Sequence, residues 1–324
     1  MKKRLFGRST AVCLCFCMAA GLLAGCAGAK KLLPGEQGPG KQPGKEPAIR
    51  LYINETGETK TIKMEEYIQG VVAAEMDPKW PVNALAAQAI LARTFTLKQI
   101  KDKGGVPKYN TDASTSVEEF QAYDQSRIND NVRQAVKMTR GEVVKYKNDY
   151  INAWFSACDG GVGASAAEGL SYKKEETPYI KAGVEDGCLS ITVPENVKWT
   201  AKFPLATVRT AVQQVTGNDP GDINADNIRV AKRGPSGRAE TLKIGIQDVG
   251  GAALRLALGN EKMRSIYLDN MWIDGGNLVM TGKGYGHGVG MCQWGAKKMA
   301  SEGKTPEQII QFYFKDISIE KEWK

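Results

Sequence analysis

Apolar positions recur at helical spacing in one stretch near the start of the body, and a proline divides that stretch in two. From Met64 to Met76, acidic residues occupy the first turn and apolar residues follow at intervals of three and four. Pro78 disfavours the helical conformation at Asp77, so this helix should end there. Pro81 suits the first position of a new helix, and an alanine-rich run follows from Val82 to Ile100. The pattern therefore predicts two consecutive helices.

Glu75 is an acidic residue at the apolar end of the first predicted helix, in the sequence VVAAEM. The last turn of a helix carries the negative end of the helix dipole, and apolar neighbours remove water from a carboxylate. Both effects favour the protonated carboxyl, so we predict a raised pKa that suits a general acid near neutral pH. The alternative interpretation is a surface glutamate on an amphipathic helix.

The alanine-rich second helix contains two polar exceptions, Gln88 and Arg93. Its alanines let a neighbouring backbone approach closely, so most sides of this helix should be buried. A buried amide and a buried guanidinium both need hydrogen-bond partners. Those partners are either other parts of the protein or a ligand.

The rest of the body mixes helical and strand-like segments. Strands are predicted at 49–54, 60–62, 142–146, 150–155, 228–232, 239–246, 264–267 and 278–280, and further helices at 129–138, 205–216, 252–258, 293–301 and from 306 onward. These elements predict an α+β fold with mainly antiparallel strands. The 324 residues allow one large or two modest domains, with possible lobes at 49–200 and 201–324.

Glycine recurs at every second position at the start of the sequence GKGYGHGVGMCQWGA, which covers residues 282–296. In an extended segment this spacing leaves a bare face that another backbone or a flat sugar ring can approach. The alternative is a loop that is bent by its glycines and packs against the core. His287, between these glycines, either orients a substrate or the Glu75 carboxyl, or satisfies a backbone carbonyl.

Residues 1–25 have the pattern of a secretory signal peptide, with a basic start and an apolar run from Ala11 to Gly25. Cys26 follows small residues as in a bacterial lipobox, which predicts a lipidated mature N-terminus. The alternative is an uncleaved membrane anchor. Residues 26–48 are rich in proline and glycine and predict a flexible tether. Both alternatives place the body, residues 49–324, outside the cytoplasm and next to the membrane.

The net charge of +8 is concentrated at the N-terminus. Lys2, Lys3, Arg4 and Arg8 contribute half of it, and the tether contributes a further excess of lysine. The body that remains is nearly neutral. Its charge therefore gives no indication of nucleic acid as a partner.

Two motifs resemble the signatures of the stage II sporulation protein D and amidase-enhancer family. They are EEYIQGVVAAEMDPKWPVNALAAQAILARTF and GYGHGVGMCQWG, and the resemblance extends over residues 50–316. It implies a peptidoglycan-active domain with two lobes around a central substrate cleft, and it makes Glu75 the catalytic acid. The implied activity is that of a lytic transglycosylase, which cleaves the bond between N-acetylmuramic acid and N-acetylglucosamine and leaves 1,6-anhydro ends. One carboxyl group suffices for this reaction, whereas hydrolysis usually requires two.

The resemblance, together with the buried polar positions of the second helix, indicates which other residues contact the substrate. The glycine-rich run 155–168 matches a family loop near the active site. The second motif, GYGHGVGMCQWG, is expected to line another side of the substrate cleft. The predicted substrate-binding residues are Gln88, Arg93, Ser156, Tyr285, His287 and Gln293. Asp77, Asp159 and Glu168 are candidates for a second acid if the reaction is hydrolysis.

Three cysteines remain after the signal peptide and the lipidated Cys26 are set aside: Cys158, Cys188 and Cys292. Outside the cytoplasm thiols can be oxidised, and we predict a disulfide between Cys158 and Cys188. Some relatives bind zinc through a cysteine and a nearby histidine, so a Cys/Cys/His zinc site with His287 is the competing prediction. We expect no metal or other cofactor. The family usually has serine in place of Cys292, for which we predict a buried thiol without a role.

Two other functions are open from the sequence. One is a wall-binding protein without catalytic activity that enhances a partner amidase. The other is a lipoprotein with a purely structural use in a wall-remodelling complex. The expected partners are peptidoglycan glycan strands, the membrane through the lipid anchor, and an amidase or another wall-remodelling protein.

Overall fold

The computed structural model describes residues 43–117 and 119–324, and residues 43–324 form one compact unit. The predicted signal peptide, the lipidation of Cys26 and most of the tether lie outside the described residues. Within the described ranges, no helix combines the length and the hydrophobicity that a membrane span requires.

The described chain is an α+β structure, as the sequence predicts. Its helices are α1 Met64–Glu75, α2 Val82–Lys103, α3 Asp130–Met138, α4 Ala166–Leu170, α5 Pro194–Val197, α6 Leu205–Thr216, α7 Gly251–Leu258, α8 Gln293–Ser301 and α9 Pro306–Tyr313. Its strands are β1 Ala48–Ile53, β2 Glu58–Lys63, β3 Ala113–Ser114, β4 Glu142–Tyr146, β5 Asp149–Tyr150, β6 Phe155–Ser156, β7 Trp199–Pro204, β8 Ile228–Arg233, β9 Ala239–Ile244, β10 Gln247–Gly250, β11 Leu268–Asp274, β12 Asn277–Gly282, β13 Met291–Cys292 and β14 Ser318–Lys321.

The strands form small sheets with the orders β2-β1-β3, β10-β9-β8, β11-β12-β7, β13-β6 and β14-β4-β5. Two pairs, β1 with β3 and β13 with β6, are parallel, and the other pairs are antiparallel. The strand predicted at 264–267 is wrong, because the strand begins at Leu268 instead. The predicted strand 150–155 is interrupted: Tyr150 pairs with β4, whereas Phe155 pairs with β13.

Helix α2 lies at the centre of the first hydrophobic cluster. Its buried residues include Leu85, Ile90 and Leu91, and each such side chain contributes about 1.5–3 kcal/mol when removed from water. Helices α1, α3, α8 and α9 all contact α2. The alanines of this helix therefore serve close packing on several sides, which the sequence predicted.

A second hydrophobic cluster contains β7 to β12 with α6 and α7, from Trp199 to Met280. The first cluster resumes at Val289 and continues to Trp323, so α8 and α9 pack with α1 and α2. The clusters thus divide the chain differently from the possible lobes 49–200 and 201–324. The segment that forms the second cluster is inserted into the segment that forms the first. After this insertion the chain returns, and α8 and α9 pack their apolar faces against α2.

Glu168 joins the two clusters. Its carboxylate accepts hydrogen bonds from the Ser236 backbone at 3.1 Å and from the Ser236 hydroxyl at 2.7 Å. Arg238 extends the network by donating to the Ser236 hydroxyl and to the carbonyl of Val162 at 2.8 Å. The turn 234–238 between β8 and β9 is therefore held against the loops of the first cluster.

The folded body begins before Ile49. Gly44 donates its backbone N–H to the carbonyl of Glu322 at 2.6 Å, and the carboxylate of Glu46 accepts the backbone N–H of Glu65 at 2.9 Å. These contacts attach residues that we assigned to the tether to the start of α1 and to the end of the chain.

Candidate functional site

A cavity of about 480 Å³ lies where the N-terminal elements, the glycine-rich loop and the second cluster meet. The described residues that line it are Glu75, Phe95, Val117, Phe120, Gln121, Ala122, Trp154, Phe155, Ser156, Ala157, Arg255, Asn260, Tyr285, Gly286, His287 and Gln293. Five of the predicted site residues are among them: Glu75, Ser156, Tyr285, His287 and Gln293. Its size suits part of a ligand chain, since small-molecule sites commonly measure about 300–1,000 Å³.

Glu75 is the last residue of α1, and its carboxylate Oε1 accepts the backbone N–H of Ala122 at 2.9 Å. Burial raises the pKa of Glu75 to about 7, and the Ala122 N–H opposes this by favouring the ionised form. Because the burial effect is larger, the Glu75 carboxyl is protonated in about half of the molecules at neutral pH. The predicted raised pKa therefore follows from the structure.

Gly70 allows the segment around Ala122 to lie against α1. A Cβ at Gly70 would be 2.2 Å from the ring of Tyr123, a distance that real carbon atoms do not reach. The carbonyl of Gly70 also accepts the N–H of Asp124 at 3.0 Å. A side chain one turn and a half before Glu75 would thus displace the backbone that hydrogen-bonds the carboxylate.

His287 lines the same cavity, but within the described structure it is not hydrogen-bonded to Glu75. Its Nδ1 accepts the backbone N–H of Val289 at 3.0 Å, so the remaining proton of the neutral ring belongs on Nε2. Burial and the cations Arg255 and Arg238 lower the pKa of His287 to about 3. His287 is therefore a neutral hydrogen-bonding group at neutral pH.

The glycine-rich run is a bent loop rather than an extended strand. Gly284, Gly286, Gly288 and Gly290 all have positive φ, which L residues with side chains rarely adopt. A Cβ at Gly290 would lie 2.0 Å from the carbonyl oxygen of Trp154. The bare backbone therefore accommodates the chain between Trp154 and Gly160, and this contact holds Tyr285 and His287 at the cavity.

Gln88 lies behind the cavity wall. It is fully buried, and its Oε1 accepts a hydrogen bond from Nε2 of Gln293 at 3.3 Å. Gln293 lines the cavity, so Gln88 positions a lining residue and does not itself line the cavity. Ser156 also lines the cavity, and its buried hydroxyl makes no hydrogen bond within the described residues.

Arg93 is placed away from the cavity. It donates to the carboxylate of Glu65 at 2.7 Å and to the carbonyl of Glu142 at 2.8 Å, and its side chain is fully buried. The same Glu65 carboxylate accepts the indole N–H of Trp323 at 2.8 Å. The partner that the sequence required for Arg93 is thus a structural one, so we do not assign Arg93 to substrate binding.

Glu75 is the single carboxylic acid among the described lining residues, which exclude position 118. Asp77 is exposed, and its Oδ1 accepts the backbone N–H of Lys79. Asp159 is buried beside the cysteines, and Glu168 is bound to the turn at Ser236. None of the three candidates for a second acid lines the cavity.

Arg255 and Asn260 were not predicted, although both line the cavity from the second cluster. Nε of Arg255 donates to the carbonyl of Arg264 at 3.1 Å, and one terminal nitrogen donates to the carbonyl of Asn260 at 3.2 Å. Desolvation lowers the pKa of Arg255, but a guanidinium keeps its charge at neutral pH. It is the one cationic side chain that lines the cavity within the described structure, so this wall suits an anionic ligand group.

The three cysteines of the body converge outside the cavity lining. Sγ of Cys158 and Sγ of Cys188 are 3.4 Å apart and are not bonded to each other. Cys292, which was predicted to be a buried thiol without a role, is buried and joins this cluster, whereas His287 is not part of it. A Cys/Cys/His set therefore does not form among the residues that the structure describes.

Comparisons with known protein families match the two hydrophobic clusters separately. A family described as "Stage II sporulation protein" matches residues 52–146, which include α1 and α2, and a domain of unknown function matches residues 191–290. An uncharacterized protein of Brachyspira hyodysenteriae is 31% identical over 259 residues, or 80% of this chain and 67% of that protein. Stage II sporulation protein D of Bacillus subtilis (strain 168) is 28% identical over 287 residues, with 84% and 78% covered. The amidase enhancer of the same strain is 27% identical over 288 residues, or 76% of this chain but 39% of that protein.

Proposed function

Because the chain belongs to the stage II sporulation protein D and amidase-enhancer family, which has a role at the cell wall, we propose that it is a peptidoglycan lytic transglycosylase. Its substrate is the bond between N-acetylmuramic acid and N-acetylglucosamine in glycan strands. The products are strands with 1,6-anhydro ends.

The observation that carries this proposal is the carboxyl group of Glu75. It lines a cavity, it is held by the Ala122 N–H, and burial raises its pKa to about 7. A glycosidase that uses water usually needs two carboxyl groups on opposite sides of the bond. A single group supports the transglycosylase reaction, because the muramic C6 hydroxyl replaces water as the nucleophile.

Glu75 acts in both steps of this mechanism. Protonated Glu75 gives its proton to the glycosidic oxygen as the bond to the muramic C1 breaks. The resulting carboxylate takes the proton of the muramic C6 hydroxyl as that oxygen forms its bond to C1. The carboxyl group ends the cycle protonated, and a pKa near the working pH suits both transfers.

The other lining residues bind and orient the sugars. Neutral His287 has its Nδ1 occupied by Val289, so it is a positioning group and not a second acid. The Ser156 hydroxyl and the Tyr285 side chain offer hydrogen bonds to sugar hydroxyl or amide groups. Arg255 offers a cation to the carboxylate carried by muramic acid or its peptide.

The place of action follows from the same proposal. The protein would act outside the cytoplasm, held to the membrane by lipid on Cys26 and facing the wall through its tether. Its process would be wall remodelling, with sporulation as one setting. The membrane contact and the lipid are part of the proposal, since residues 1–42 are outside the described structure.

Purified glycan strands, with and without stem peptides, test the activity. The chain should release fragments with 1,6-anhydro ends, identified by mass spectrometry. Glu75→Gln should abolish these products while strand binding remains. Glu66→Gln, an exposed position on the same helix, is the matched control and should retain activity. Unchanged products from Glu75→Gln would reassign the acid, and reducing ends without anhydro sugar would indicate hydrolysis.

The second candidate is a binding protein that enhances an amidase. The similarity to a protein named amidase enhancer favours it, although this chain spans only 39% of that relative. In that case the chain would release no glycan fragments, and it would accelerate peptide release when an amidase is added. Glu75→Gln would leave this acceleration unchanged.

A further inference from the structure

The cysteine cluster brings together thiols from three separate segments. Cys158 follows β6, Cys188 opens a short turn after Gly187, and Cys292 ends β13 immediately before α8. All three are buried, and their sulfur atoms lie within 4.8 Å of one another. Three thiols from distant parts of a chain form such a cluster only if the fold places them there.

Two buried carboxylates adjoin these sulfur atoms. The set of Asp159, Asp186, Cys188 and Cys292 also has its ligand atoms within 4.8 Å of one another. Asp186 is fully engaged, because it accepts the N–H of Cys188 at 2.9 Å and the hydroxyl of Tyr313 at 2.7 Å.

Asp159 retains one unused oxygen. Its Oδ1 accepts the backbone N–H of Gly161 at 2.8 Å and lies 3.2 Å from Sγ of Cys188, whereas its buried Oδ2 has no hydrogen-bond partner. The nearby cation Arg238 donates to the backbone carbonyl of Asp159 and not to the carboxylate. An unpartnered buried carboxylate oxygen is costly, and a cation would remove that cost.

Two backbone N–H groups point at the sulfur of Cys292. Its sulfur accepts backbone N–H groups from Asp159 and from Gly295, each at 3.4 Å. It also caps the N-terminus of α8. Such N–H contacts to sulfur are typical of thiolates that bind a metal.

We propose that Cys158, Cys188 and Cys292 bind one zinc ion, with the carboxylate of Asp159 as the fourth ligand. Three soft sulfur ligands and one oxygen suit the tetrahedral preference of Zn²⁺. On binding, each thiol loses its proton to solvent, so three thiolates and the carboxylate surround the ion. The hydrogen bond between the Cys188 thiol and the Asp159 carboxylate is then lost, and both groups contact the metal ion instead.

The site would be structural, because four protein ligands leave no open position for a substrate. It would join the loop after β6, the turn at Cys188 and the start of α8. Strands β6 and β13 pair at Phe155 with Met291 and at Ser156 with Cys292. Because Ser156 and Gln293 line the cavity, the ion would fix that wall from behind without touching Glu75.

The competing outcome is the disulfide between Cys158 and Cys188, which would leave Cys292 as a lone thiol. The two predictions differ in measurable ways. Zinc binding keeps all three sulfur atoms reduced and protected. Disulfide formation removes two hydrogen atoms from the chain and leaves one thiol to react after unfolding.

The full chain, purified without chelator, tests the proposal. Metal analysis by mass spectrometry should find one zinc ion per chain. The three cysteines of the body should react with a thiol reagent only after a chelator or denaturant is added. Co²⁺ bound in place of zinc should give the sulfur-to-metal absorption bands and intense visible bands of a tetrahedral thiolate site.

Substitutions locate the ligands. Cys292→Ser and Cys158→Ser should lose the metal, and Asp159→Asn should weaken its binding by roughly ten- to a hundred-fold. Ser190→Ala, an exposed position in the turn that contains Cys188, is the matched control and should keep the metal. If a cysteine variant fails to fold, the Co²⁺ spectrum of the unmodified chain still decides the ligand class. A chain with no bound metal, an oxidised Cys158–Cys188 pair, or full zinc content in Cys292→Ser would overturn the proposal.

Discussion

Replacing Glu75 with glutamine should stabilise the protein at high pH and leave its stability unchanged at low pH. Burial raises the pKa of Glu75 from 4.5 in the unfolded chain to about 7 in the folded one. Below pH 4.5 the group is protonated in both states, so it has no effect on unfolding. Between these values the folded state keeps a proton that the unfolded state loses, and stability falls as pH rises.

The expected magnitude follows from this shift in pKa. Each unit corresponds to about 1.4 kcal/mol, so the ionised carboxylate costs ~3 kcal/mol once the pH exceeds 7. Glutamine carries no charge and its carbonyl can still accept the Ala122 N–H. The difference in unfolding free energy between variant and unmodified protein should therefore grow from near zero at pH 4 to ~3 kcal/mol at pH 8.

Guanidinium unfolding of both proteins at several pH values measures this difference, with fluorescence as the probe. Glu66→Gln on the exposed face of α1 is the control and should show no such dependence. A difference that is constant with pH, or one that favours the unmodified protein at pH 8, would refute the assignment of a raised pKa. The rate of glycan cleavage should also fall as pH rises through about 7, since the acid form is lost.

Three further substitutions test other parts of the structure. Gly70→Ala should displace the segment that donates the Ala122 N–H, and glycan cleavage should fall at least ten-fold while binding persists; an unchanged rate would mean that this contact is not needed. Arg255→Gln should raise KM for strands that carry free carboxylates, whereas Arg255→Lys should restore part of the affinity; equal KM values for all three proteins would exclude an anionic subsite. Glu65→Gln should lower the unfolding free energy by about 3–5 kcal/mol, because it leaves the buried guanidinium of Arg93 without its carboxylate. Chemical denaturation measures this loss, and a value below about 1 kcal/mol would contradict the prediction.

The acid and its helix could be predicted because their causes are local. The proline after Asp77 ends α1, and the apolar neighbours of Glu75 remove its water, so both features are visible within a dozen residues. The start of the last helix, predicted from 306 onward, has an equally local cause, because the structure shows a capping box between Thr305 and Gln308.

Contacts between distant residues could not be predicted in this way. Sequence spacing showed that Arg93 needed a partner, but it did not identify Glu65, which is in the preceding helix. Arg255 reaches the cavity from α7, far along the chain from Glu75, and no local pattern distinguishes it from other helical arginines. Cys292 was predicted to be a buried thiol without a role because the family usually has serine there, and no nearby residue indicated that it lies beside Cys158 and Cys188.

The second cluster leaves and rejoins the rest of the protein at one point, because Trp199 at the start of β7 pairs with Gly282 at the end of β12. A segment whose two ends are adjacent can be exchanged or redesigned as a cassette without rerouting the surrounding polypeptide. This cassette supplies Arg255 and Asn260, whereas Glu75 is built by α1. If Glu75 and Arg255 act as proposed, ligand preference and proton transfer are encoded in separable pieces of sequence, and evolution or protein engineers can alter one and keep the other.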